Sequence, residues 1–91
     1  MALTKETIVD KIEVMEMGQV QVRTATRVLE DGVALSSSFH RHVVEPSTKT
    51  GDTWADTDIS GEDARVQAVA NATWTSAVKT AYQEMIDAQA L

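Results

Sequence analysis

Ile12-Glu13-Val14-Met15-Glu16-Met17-Gly18-Gln19-Val20-Gln21-Val22 reads as two strands folded about one tight loop. Apolar and polar side chains alternate on both sides of Glu16-Met17-Gly18, the pattern of half-buried strands. Gly18 supplies the left-handed residue that a three-residue hairpin loop with a G1 bulge requires. The loop length sets Val14 opposite Val20 and Ile12 opposite Val22, so the apolar faces coincide. A slip of one residue would turn one set to the other side.

A second signal lies further along, in Val28-Leu29-Glu30-Asp31-Gly32-Val33-Ala34-Leu35. Asp-Gly between apolar runs marks a two-residue type I′ turn, because both central residues need positive φ. Folding about it sets Val28 opposite Leu35, Thr24 opposite Phe39 and Val20 opposite Val43. Ile8 joins Ile12 and Val14 on the apolar face. The expected unit is a three-stranded antiparallel meander over residues 7–44, ended by Pro46, which has no N–H for a ladder.

Residues 45–60 are polar, Ser-Thr-Lys-Thr-Gly-Asp-Thr-Trp-Ala-Asp-Thr-Asp at their centre, and read as a long loop. Ser60-Gly-Glu-Asp63 then reads as a capping box, with Glu62 and Asp63 at the positive end of a helix dipole. Val66, Val69, Ala70, Thr73 and Trp74 recur at helical spacing. Thr75 is a second N-cap, and Val78, Ala81, Tyr82, Met85 and Ile86 form an apolar stripe. Two helices are expected, Gly61–Thr73 and Ser76–Ala90, packed on one sheet face. The fold class is α+β, in one domain spanning residues 1–91.

The 91-residue chain has 14 acidic and 8 basic side chains, a formal net charge of −6. That balance argues against tracking a phosphate backbone or an anionic membrane, so no nucleic-acid or membrane partner is expected. No stretch approaches a transmembrane length, and the N-terminal residues lack the pattern of a secretory signal, which points to synthesis and folding in a cytoplasm. Cysteine is absent, which excludes disulfides and thiolate metal sites. So short a chain buries only about 60–65% of its unfolded surface, and its thin core leans on a partner or on further copies.

Chemistry has few candidates. No Gly-rich phosphate loop, nucleophile triad or carboxylate pair in a cleft is legible, so no enzyme, cofactor or small-molecule substrate is expected. His40 and His42 lie two apart on the third strand. In the register above they face solvent, with His42 across from Gln21 and Glu13 one strand further. That is two imidazoles and a carboxylate without a fixed further ligand, set against plain surface histidines. Arg41 falls on the apolar face, where a lone charge is costly, and reads as an end-of-strand arginine snorkelling past Phe39 or as a subunit contact. Trp54, in the polar loop, either packs back onto the core or anchors in a neighbouring chain. Trp54, Phe39, Arg41, His40 and His42 are the candidate interface residues.

Asp10-Lys-Ile-Glu-Val14, Val20-Gln-Val-Arg-Thr-Ala-Thr26, Glu30-Asp-Gly32, Phe39-His-Arg-His42 with Pro46, Gly61-Glu-Asp, and Trp74-Thr75 with Ala81-Tyr-Gln83 together resemble a group of small tailed-bacteriophage proteins encoded among tail and fibre genes. The resemblance runs from about Thr7 to Gln83 and brings no catalytic residues with it. The loop from Pro46 to Ser60 is larger than the group's pattern. The resemblance implies a virion location and a non-enzymatic structural role: a tail- or fibre-associated adaptor in a symmetric assembly, with copies of itself and larger tail or fibre proteins as partners. Two alternatives stand beside it. One is a fibre or tail assembly chaperone absent from the mature particle. The other is a small metal-binding or regulatory domain using His40 and His42.

Overall fold

The computed structural model describes residues 2–89. Three long strands, β1 (Leu3–Val14), β2 (Val20–Glu30) and β3 (Val33–Val44), form an antiparallel meander in the order β1-β2-β3. A small hairpin follows, β4 (Ser47–Thr50) and β5 (Thr53–Asp56), and then two helices, α1 (Ala64–Thr73) and α2 (Ser76–Gln89). The α+β architecture expected from the sequence is present. The helix end expected at Ala90 falls outside the described residues.

Both expected meander turns form. Gly18 N–H donates to the Met15 carbonyl at 3.0 Å and Met15 N–H to the Gln19 carbonyl at 2.8 Å, with Gly18 at φ 89°. Val14 pairs with Val20 and Ile12 with Val22. At the second turn Asp31 and Gly32 have φ of 52° and 85°, the two positive values of a type I′ turn.

Two one-residue irregularities correct the expected register. In β1, Lys11 pairs with Arg23 and Val9 with Thr24, so Asp10 is extra. The shift turns Val9, not Ile8, toward the core. In β3, Leu29 pairs with Ala34 and Val28 with Ser36, so Leu35 is extra. From there on β3 is offset by one. Val20 faces Val44, which is buried, and Val43 turns outward. Thr24 faces His40, and Ala25 faces Phe39. The bulge removes the conflict visible in the sequence, because the uniform register would have put the Arg41 guanidinium on the apolar face.

The core lies at one end of the sheet. Val20, Val22 and Val44 pack with Val66, Ala70 and Trp74, and Val9, Ile12, Ile59, Val69 and Val78 surround them. Phe39 lies on the opposite face, and on the helix side the far half of the meander, with Val28, is not covered. Length explains this. Strands of 12 residues span roughly 40 Å, whereas helices of 10 and 14 residues span roughly 15 and 21 Å. The molecule is 58 Å long and 25 by 22 Å across, a small packed head with a projecting β arm.

The polar segment after Pro46 is a hairpin and not a loop. Thr50 pairs with Thr53 about Gly51-Asp52, with Gly51 at φ 62°. Gly-Asp between β-formers is itself a two-residue turn signal. The first helix begins later than expected: Asp63 is its N-cap and accepts from Arg65 N–H at 2.9 Å. Ser60 instead donates its backbone N–H to Asp58 at 2.9 Å, closing a turn before the helix. Thr75 caps α2 as expected, accepting from Val78 N–H at 3.3 Å.

Candidate interaction surface

The five candidate residues occupy three places. Phe39 and Arg41 lie on the face of the sheet away from the helices, His40 and His42 lie on the helix side, and Trp54 lies on the small hairpin. The bulge at Leu35 inverts the expected sides: the histidines leave the solvent face and Phe39 and Arg41 take their place on it.

On the open face, cross-strand pairing lines up Lys11, Arg23 and Arg41 in one row. Like charges directly opposite each other are unfavourable, and two carboxylates offset this row. Asp10, freed by its bulge, binds Arg23 at two points, 3.0 Å to Nε and 2.7 Å to Nη2. That bidentate bond holds the Asp10 carboxyl below the usual range, against a smaller opposing effect of burial. Glu13 lies 3.7 Å from Lys11. Arg41 has no carboxylate partner among the described residues. The row borders a shallow concavity of about 170 Å³ that Gln21 and Val43 also line. In the next row, the Arg23 guanidinium sits 4.5 Å from the centre of the Phe39 ring, above Ala25. Arg27 pairs with Glu6 at 2.9 Å further out.

On the helix side, His42 pairs with Val22 across the strand and reaches Glu62, Nε2 to Oε1 at 2.7 Å. The expected neighbours Gln21 and Glu13 are on the other face. His40 stacks near His42, with ring centres 6.2 Å apart. Among the described residues no three His, Asp or Glu side chains come together as a metal-ligand set. The His42–Glu62 contact joins β3 to the turn that precedes α1, and it lies over the edge of the core. Arg65 donates to the Val9 carbonyl and ties α1 to the β1 bulge.

Trp54 is half-buried and meets Tyr82 edge-on, ring centres 6.1 Å apart, with the Lys49 ammonium 5.6 Å from its ring. Lys49 bonds Asp87 and Lys79 bonds Asp56, at 2.8 and 2.9 Å, and Gln83 donates to buried Ser47 at 3.1 Å. These contacts seat β4–β5 on α2. Trp54 thus packs within the chain on Tyr82 of α2, outside the central core cluster.

Sequence reading missed the largest feature of this surface. Leu3, Val33, Leu35, Phe39 and Val43 are each about half to two-thirds exposed, and Ile8 is 42% exposed. All but Val43, which lies at the head end opposite Gln21, sit on the bare arm, on both of its faces. The available signal was arithmetic: strands near 40 Å long beside helices half that length.

Comparison with known proteins finds no matching family model, no matching curated protein and no matching solved structure.

Proposed function

We propose that this chain is a non-enzymatic structural component of a tailed-phage particle, tail- or fibre-associated, acting through protein–protein contact in a symmetric assembly. One observation carries the reading: a β arm whose large apolar side chains, Leu3, Val33, Leu35 and Phe39 among them, are about half to two-thirds exposed with no helix over them. Large apolar side chains exposed together in this way mostly mark a contact site. The head supplies a stable base, since Val20, Val22, Val66 and Ala70 are at most 1% exposed. The arm carries the contact. The resemblance in the sequence supplies the particle as the setting.

Mass spectrometry of purified particles tests it, with peptide counts of this chain set against those of the tail proteins. A fixed ratio is expected. Abundance in infected cells with absence from particles would overturn the structural role and favour an assembly chaperone.

A further inference from the structure

We infer that β3 is the strand through which the arm makes its contact, and that the partner is β3 of a second copy, paired antiparallel about Phe39. This rests on the assembly reading above and names its interface.

The two edges of the meander differ. An open edge offers unpaired N–H and C=O groups to any passing strand, and proteins blunt such edges with charge, proline or bulges. β1 is blunted in this way: it carries Lys5, Glu6, Asp10, Lys11 and Glu13, and the Asp10 bulge interrupts it. β3 is left open. Across its 12 residues the only fixed charge is Arg41, and it holds no lysine, carboxylate or proline. Every residue from Val33 to Arg41 is exposed. From Ser36 to Val44 its register with β2 is unbroken, so its outer side is a regular ladder.

The side chains choose the occupant. Two β3 strands related by a two-fold axis normal to the sheet put each residue opposite one on the same face. Centring the pair on Ser38 sets Arg41 against Leu35 and Phe39 against Ser37. Centring on His40 sets His40 against itself and Ser37 against Val43. Centring on Phe39 sets Phe39 against Phe39, Leu35 beside Val43, Arg41 against Ser37 and His40 against Ser38. Of these three registers, only the last sets Phe39 against an apolar side chain while opposing no like groups that carry charge. β3 is also the one long strand without a carboxylate, so two copies of a chain with net charge −6 meet along their least acidic edge. The product is a six-stranded sheet in the order β1-β2-β3-β3-β2-β1, with the two blunted strands outermost.

The chain has no cysteine, so single cysteines report unambiguously. Phe39→Cys and, on β1, Thr7→Cys would be oxidised or treated with a short bismaleimide, after circular dichroism confirms folding. Sedimentation equilibrium of the unmodified chain and of Ser37→Lys completes the set. Expected are a species of twice the 9.9 kDa chain mass, cross-linking at Phe39→Cys but not at Thr7→Cys, and dimer affinity about tenfold weaker in Ser37→Lys, where two lysines face two arginines. A monomer, or an oligomer that neither cross-links at position 39 nor responds to Ser37→Lys, overturns β3 pairing. The particle ratio then still decides the assembly reading by itself.

Discussion

The indole Nε1 of Trp74 donates to the Gly18 carbonyl at 2.7 Å, joining residues 56 apart in the chain. The bond links the first hairpin loop to the junction of the two helices and is buried. Gly18 is needed there twice over. Its φ is +89°, and a Cβ on it would lie 2.5 Å from Val78 Cγ1 and 3.1 Å from Pro46 Cγ. Gly18→Ala is therefore expected to destabilise by about 2–4 kcal/mol, combining left-handed strain with overpacking. Trp74→Phe keeps most of the ring and strands the carbonyl, at about 1–3 kcal/mol. Urea unfolding measures both. A Gly18→Ala chain as stable as the parent would show that the loop is free to move off α2.

Tyr82 is the only tyrosine of the chain and is 3% exposed. Burial, then its contact with Glu45, pushes its phenol from 10 up to about 12. The unfolded chain loses this proton near pH 10 and the folded chain does not, so the contribution is complete below pH 10 and is lost as pH rises to about 12. Spectrophotometric titration at the phenolate band reads this one group. A midpoint near 10 in folded protein would contradict its burial.

The parts of the fold set by local chemistry were legible in the sequence. Gly18, Asp31-Gly32, Pro46 and Thr75 each impose a backbone requirement that few other residues meet, and each sits where that requirement predicts. The register of β3 was not legible from its turn, because Val43 and Val44 are equally able to fill the core and a period-2 pattern cannot choose between them. The choice is made at a distance, by the cost of burying Arg41 and by the gain of the His42–Glu62 contact. Arg41 on an apolar face was itself the mark of an unrecognised bulge. The β4–β5 hairpin differs: its Gly51-Asp52 turn signal was local but sits in a polar stretch without apolar alternation, and its packing comes from α2 through Tyr82, Gln83 and Asp87, distant in the chain.

Trp54→Ala tests that dependence. The substitution removes the edge-on contact with Tyr82 and uncovers part of its ring. The expected loss is about 1–2 kcal/mol, an aromatic pair plus partial burial, with the sheet and helices retained. The Tyr82 titration is expected to move down toward 10 in the same variant, because water gains access to the phenol. Loss of the folded circular dichroism signal would place Trp54 in the central core. An unchanged phenol would show that the ring shields nothing.

Asp10→Asn probes the cation row of the open face. The carboxyl of Asp10 is lowered from 3.8, first by its bond to Arg23, so the folded state favours the charged form. That contribution is present above the unfolded value and is lost as pH falls through the folded one, below about pH 4. The stability gap between parent and Asp10→Asn is thus expected to be widest near neutrality and to close in acid. Arg23 would then face Lys11 and Arg41 without its carboxylate, so added salt is expected to recover part of the loss near pH 7 by screening the three cations. Urea unfolding at neutral and acid pH, with and without salt, separates the two effects. A gap that ignores pH would mean that Asp10 acts only through the backbone of its bulge.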